Sequence, residues 1–209
     1  MSDDDGLCSQ YRKPEGEDGR TVLEGMNRHH APLWDWCMRF MPRYMVGAVL
    51  DIGCGGGMFL HRLYERYPFA MLNGVDISEE AVRMSSEVNA DAVAEGSMRV
   101  GVGSVMELPY DDASFYLVTA IETYFFWPDL EAGINEAARV TSPGGMMIIG
   151  SEMQVEDDDD YVKEAWEKYG ARLRPDDIIL SMMDRAGFEM NSYRSDDGSV
   201  AFVGVKRFG

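Results

Sequence analysis

Basic residues are scarce in this sequence. Lys and Arg total 19 against 37 Asp and Glu, a formal charge of −18 over 209 residues, and the basic side chains form no cluster. A surface of that sign repels phosphate backbones at long range, so neither nucleic acid nor an anionic membrane is an expected partner. Long apolar runs are missing too: none approaches the roughly 20 residues a helix needs to cross a bilayer. The first residues, Met1-Ser2-Asp3-Asp4-Asp5, carry acid where a secretory signal has basic residues and an apolar stretch. The expectation is a soluble, cytoplasmic protein. Cysteine is sparse: Cys8, Cys37 and Cys54 lie far apart and form no C-x-x-C pair. Neither a metal site nor a disulfide framework is expected, only separate reduced thiols.

What is present reads as one globular domain, since 45% of the residues are hydrophobic. Residues 1–20, rich in Asp, Glu and Gly, are expected to form a mobile acidic tail ahead of a single domain at 21–209. Residues 21–45 read as a helical cap, helical from Thr21 and again from Pro32, with Leu33, Trp34, Cys37, Met38 and Met41 on one stripe. Strand-like runs follow at Val46 to Ile52, Ala70 to Asp76, Met98 to Gly103, Phe115 to Ile121 and Met146 to Ser151, alternating with helical patterns. Ser78 is a candidate N-cap, with Glu79 and Glu80 in the first turn. Such alternation means an α/β fold, a parallel sheet with helices on both faces. After a helix from about Pro175 to Ala186-Gly187, two runs, Phe188 to Tyr193 and Val200 to Lys206, flank Ser195-Asp196-Asp197-Gly198. That is turn chemistry and predicts an antiparallel hairpin at the sheet edge.

The feature richest in chemistry is Val49-Leu50-Asp51-Ile52-Gly53-Cys54-Gly55-Gly56-Gly57, a buried strand running into a glycine turn and then a helix. Gly53 and Gly55 let a ligand approach the backbone, and the helix offers free amides. Dinucleotide-binding proteins share such loops, but their third glycine is missing here, because Gly53-x-Gly55 is followed by Met58. Asp51 disfavours a pyrophosphate and favours a cationic ligand. Asp76, 21 residues after Gly55, ends the second strand, where a carboxylate can accept hydrogen bonds from both hydroxyls of a ribose. Ile77 can pack on an adenine face.

In these segments the sequence resembles the class I S-adenosylmethionine-dependent methyltransferases, in the small-molecule branch that includes quinone-biosynthesis enzymes. Further segments fit in order: Gly103-Ser104-Val105-Met106-Glu107-Leu108-Pro109-Tyr110, Asp112-Ala113-Ser114-Phe115, Glu136-Ala137-Ala138-Arg139-Val140-Thr141-Ser142-Pro143-Gly144-Gly145 and Ala186-Gly187-Phe188. The resemblance spans about Met45 to Lys206. It implies a Rossmann-like, doubly wound, mostly parallel seven-stranded sheet ending in an antiparallel hairpin. It implies S-adenosylmethionine as cofactor, S-adenosylhomocysteine as product, and a small-molecule acceptor for a monomer or homodimer. Asp51, Gly53, Cys54 and Gly55 would hold the methionine end, Asp76 and Ile77 the ribose and adenine, and Ser104, Val105 and Met106 the adenine pocket. The chain departs from the family at Ser104, where an acid usually meets the adenine amino group, and at Tyr116, usually Asp.

Catalytic residues are poorly encoded in this chemistry, because methyl transfer is an in-line displacement that mainly needs alignment. The candidates are Glu122, which could also bind the cofactor, Tyr124 and His30. Trp127, His29 and Trp34 are candidate acceptor-pocket residues. His61 receives no role. Residues 152–175 are expected to form a lid with Tyr161, Trp166 and Tyr169 turned inward, and the acid run Glu156 to Asp160 to be a solvated loop. Two other readings compete: a nicotinamide-dependent oxidoreductase, and a binding module that keeps the fold without catalysis.

Overall fold

The computed structural model of the chain describes residues 9–152, 167 and 169–208. A seven-stranded sheet has the order β3-β2-β1-β4-β5-β7-β6. The strands are β1 (Gly47–Ile52), β2 (Ala70–Asp76), β3 (Met98–Val102), β4 (Phe115–Ile121), β5 (Thr141–Ser151), β6 (Phe188–Arg194) and β7 (Val200–Lys206). β1 to β5 pair in parallel. Their alternate residues are apolar on both sides, so each strand feeds two cores. Leu50, Val118 and Ile149 pack on one face, Val49, Leu117 and Ile148 on the other.

Helices cover both faces. α1 (Gly16–His29), α2 (Ala31–Cys37), α3 (Met58–Arg66), α4 (Glu79–Val88) and α5 (Ala90–Ala94) come from the first half of the chain; α6 (Leu130–Val140) and α7 (Asp176–Arg185) come from the second. Ser78 caps α4 as expected, its hydroxyl accepting the Ala81 N–H at 3.0 Å. The strand order reverses between β1 and β4. Loops leaving their C-terminal ends diverge there, and the crevice that opens is where ligands bind in open α/β sheets.

Three boundaries differ from the sequence reading. α1 begins at Gly16 instead of Thr21, so part of the expected tail is docked structure. Pro14 O accepts the Ser78 hydroxyl at 2.5 Å, and Arg20 bridges to Glu87 at 2.7 Å and Glu80 at 3.5 Å. These are mostly polar attachments, and α1 buries only Gly19 and Leu23, so no apolar stripe announced it. β5 begins at Thr141, five residues before the expected Met146, because an irregularity in pairing opposite Phe115–Leu117 absorbs Pro143-Gly144-Gly145. The hairpin forms as expected, but β7 lies inside it, paired with β5, and β6 takes the edge. Val200 to Val203 are buried, whereas β6 is largely exposed beyond Phe188.

Within the expected lid, residues 153–166 and 168, including Glu156 to Asp160, Tyr161 and Trp166, lie outside the described residues. No described helix is long and apolar enough to cross a membrane.

Candidate active site

The glycine turn begins where β1 ends. Gly53 and Gly55 have φ of 74° and 51°, in the left-handed region that side chains resist. Gly53 N and Cys54 N donate to Val75 O at 2.8 and 3.1 Å, tying the turn to β2. Asp76 completes the tie: its Oδ2 accepts the Gly55 N–H at 3.0 Å and its Oδ1 the Ser78 N–H at 2.9 Å. One carboxylate thus fixes both strand tips. A methyl group on Gly55 would meet only Leu23, at 3.8 Å, so this glycine faces open space.

Two cavities meet over the turn. The smaller, about 120 Å³, is bordered by Asp76, Ile77, Ser104 and Val105, with Tyr11, Arg12 and Pro14 from the N-terminal segment. The larger, about 710 Å³, has aromatic walls from Trp34, Phe59, Phe125 and Tyr169, and polar groups from Asp51, His29, His30 and Glu152. Tyr11, Met26, Gly53, Gly55, Glu122 and Phe126 border both. This is the usual make-up of a small-molecule site, an apolar wall with a few convergent polar groups.

The buried acids are unusual. Asp51 is 3% exposed and accepts the Thr119 hydroxyl at 2.7 Å. Burial, opposed by that hydrogen bond and aided by the nearby Asp76 charge, pushes its carboxyl up to about 7. Glu122 sits at φ 56°, its N–H bonded to Gly150 O at 2.9 Å and its Oε1 accepting the Glu152 N–H at 2.5 Å. Burial also pushes Glu122 up to about 7. Backbone strain at a non-glycine residue in a cleft is a mark of functional placement. Glu152 Oε2 lies 3.2 Å from His30 Nδ1 and 3.3 Å from His29 Nε2.

Most sequence-predicted site residues converge here. Gly53, Gly55 and Glu122 border both cavities; Asp76, Ile77, Ser104 and Val105 the smaller; Asp51, Cys54, His29, His30 and Trp34 the larger. Three do not take their expected places. Tyr124 lines neither cavity: it is 2% exposed in the 3₁₀ turn Tyr124–Phe126, its ring edge-on to Phe125. Burial raises its phenol pKa, and Phe126, two residues on, faces the junction instead. Trp127 borders the smaller cavity, not the larger one, and packs on Gly133. Met106 lines neither; it packs against the core while its N–H donates to Ser104 Oγ at 3.2 Å. The thiols of Cys37 and Cys54 are buried, which raises both, Cys37 to about 12, and leaves them poor nucleophiles.

Sequence reasoning missed Tyr11, Arg12, Pro14, Met26, Phe59 and Glu152. For the first three there was no signal, because they fall in the segment read as tail. Glu152 directly follows β5, a strand end beside the crevice, and that position was the available clue.

Comparison with known proteins agrees with this geometry. Residues 50–149 match the methyltransferase domain family. The 27-O-demethylrifamycin SV methyltransferase of Amycolatopsis mediterranei is 33% identical over 134 residues, covering 64% of this chain and 47% of that protein. The 2-methyl-6-phytyl-1,4-hydroquinone methyltransferase of Synechocystis is 32% identical over 120 residues, 57% of this chain and 36% of that one. The chain therefore spans less than half the length of either relative. The geranyl diphosphate C-methyltransferase of Streptomyces coelicolor, solved with Mg2+, geranyl diphosphate and S-adenosylhomocysteine, superposes with a TM-score of 0.74 at 12% identity, covering 93% of this chain and 86% of that one. With its sheet order, its glycine turn and Asp76 in place, the chain is similar to the methyltransferase domain family over residues 50–149.

Proposed function

We propose that this chain transfers a methyl group from S-adenosylmethionine to a small-molecule acceptor held in the larger cavity. The observation that carries the reading is the junction: a recess beside Asp76, Ile77 and Ser104 and an aromatic-walled chamber share Gly53, Gly55 and Glu122 as borders. The residues present fit the donor. Gly55 leaves room that a side chain would fill. Asp76 uses one lone pair on each oxygen for the backbone and keeps others for ribose hydroxyls. Asp51 and Glu122, once ionised, would face a cationic end with negative charge and would disfavour the pyrophosphate of a nicotinamide cofactor.

The donor, when bound, supplies a methyl carbon already activated by a sulfonium. The protein's own work is then alignment and exclusion of water. Trp34, Phe59, Phe125 and Tyr169 wall a place for an apolar or flat acceptor, which suits the rifamycin and phytyl-hydroquinone substrates that the relatives' names carry. Glu122 stands between the two chambers, placed to accept a hydrogen bond from the acceptor's reacting group.

The test is a calorimetric titration of the purified chain with S-adenosylmethionine, S-adenosylhomocysteine and NADH. One saturable site for the first two and none for NADH is the expected result, followed by label transfer to aromatic or prenylated hydroxyl acceptors. Silence toward both sulfur compounds at millimolar concentration overturns the reading.

A pH dependence follows from Asp51. A cationic ligand favours the ionised carboxylate, so binding must deprotonate Asp51 below its value of about 7. The Asp51 contribution alone should raise affinity for S-adenosylmethionine about tenfold between pH 6 and pH 8. Asp51→Asn should bind more weakly and lose about that tenfold of the change. Without ligand the sign reverses. The folded state keeps the proton to about pH 7 and the unfolded chain only to about 4, so stability falls with rising pH across that window. Equal slopes in Asp51→Asn and the parent would remove Asp51 from the ligand site.

A further inference from the structure

We propose that His29, His30 and Glu152 form a binding site for one divalent transition-metal ion of the zinc class, at the mouth of the larger cavity. Among the described residues this is the one trio of His, Cys, Asp or Glu side chains whose ligand atoms converge, all within 4.8 Å of one another. Both imidazole nitrogens approach the same oxygen, Glu152 Oε2, at 3.2 and 3.3 Å. Neighbouring ligands on a tetrahedral zinc ion, with bonds near 2.0–2.1 Å, stand about 3.3 Å apart. Two of the three edges therefore already have the required length, and the third needs only a side-chain adjustment.

The backbone builds this convergence. Consecutive residues in a continuous α-helix point about 100° apart. Here the helix breaks at His30, with φ −81° and ψ 4°, before Ala31 starts α2 with Pro32 in its first turn. The break turns the second imidazole beside the first, with ring centroids 5.2 Å apart. On the other side, Glu122 Oε1 holds the Glu152 N–H at 2.5 Å and fixes the carboxylate's origin at the end of β5. A half-buried His30 and Glu152 beneath an exposed His29 leave the centre reachable from solvent.

Two histidines and one carboxylate make the donor set of catalytic zinc sites, three protein ligands with a position left open. Imidazole donors select zinc-class ions over magnesium or calcium, which take all-oxygen shells. His29, His30 and Glu152 all border the chamber assigned to the acceptor, so the open position faces it. An ion there would bind and polarise an acceptor oxygen, which restricts the acceptors to those bearing a hydroxyl or carbonyl oxygen within reach. This deepens the proposed function, but metal binding and donor binding are read in separate titrations, so failure of one is distinguishable from failure of the other.

The experiment is calorimetry of the metal-stripped full chain with Zn2+, repeated in His30→Ala, Glu152→Gln and His61→Ala. S-adenosylhomocysteine binding and a melting curve on each protein report that it is folded. One equivalent should bind the parent and the His61→Ala chain alike, because His61 pairs with Asn89 and Glu65, outside the trio. His30→Ala and Glu152→Gln should each weaken binding about a hundredfold or more, since changes in outer-shell residues alone cost 10–100-fold. Absence of saturable Zn2+ binding in the parent overturns the proposal. So does binding that survives both substitutions in folded protein, which would place the ion on other carboxylates.

Discussion

Asp76→Ala should weaken the binding of S-adenosylmethionine and of S-adenosylhomocysteine equally, by about 3 kcal/mol or a hundredfold in Kd. Both compounds carry the ribose, and each loses two charge-assisted hydrogen bonds to the missing carboxylate. The same substitution releases Gly55 N and Ser78 N, which Asp76 now accepts at 3.0 and 2.9 Å. The glycine turn should loosen as well, so a lower melting temperature is expected alongside the affinity loss. Asp76→Asn separates the two contributions. Its amide oxygen can keep one backbone bond, and the residual loss then belongs to the ligand. A dissociation constant unchanged in Asp76→Ala would sink the ribose assignment.

Glu122→Gln should lower kcat by about 2–3 kcal/mol, roughly thirtyfold to a hundredfold, the range for removing a hydrogen bond to a charged group. Glutamine has the same shape and its amide oxygen can keep the Glu152 N–H bond, so the melting temperature should stay nearly constant. What changes is the group between the two chambers: two acceptor oxygens become one acceptor and one donor, and the negative charge is gone. A loss confined to KM would mean that Glu122 only steadies the donor's positive end, because uniform binding does not accelerate the chemical step. Equal turnover in the two proteins would remove Glu122 from the mechanism altogether.

The legible parts of this protein are those whose signal is local. β1, β2 and β4 are apolar runs of strand length stopped by glycine, acid or helix signals, and their ends appear where the pattern puts them. The place of Asp76 at the end of β2, beside the glycine turn, was readable from its spacing along the chain. Tyr124 shows the opposite case. Tyr124, Phe125 and Phe126 have similar hydrophobicity, and a 3₁₀ turn decides which ring reaches the cavity. Pattern carries no information about that rotation, and it is Phe125 and Phe126 that line the larger chamber.

The N-terminal segment was illegible for a different reason. Apart from Leu23 against Ala81 and Met84, its contacts are polar, and they are distant in sequence: Pro14 with Ser78, Arg20 with Glu80 and Glu87, Asn27 with Gly56. Each partner looks like a solvated residue until the chain folds and brings it across. The same holds for His30 and Glu152, 122 residues apart and joined only by the meeting of a helix break with a strand end.

The sequence by itself therefore determined the alternating architecture, the glycine turn and the acid at the second strand tip, because hydrophobic period and backbone permissiveness act over a few residues. Tertiary structure alone decided which side chains enclose the two chambers, which aromatic ring faces the junction and which two imidazoles share a carboxylate. Those choices depend on the relative placement of segments far apart in the chain, and that placement is set by the packing of the whole sheet.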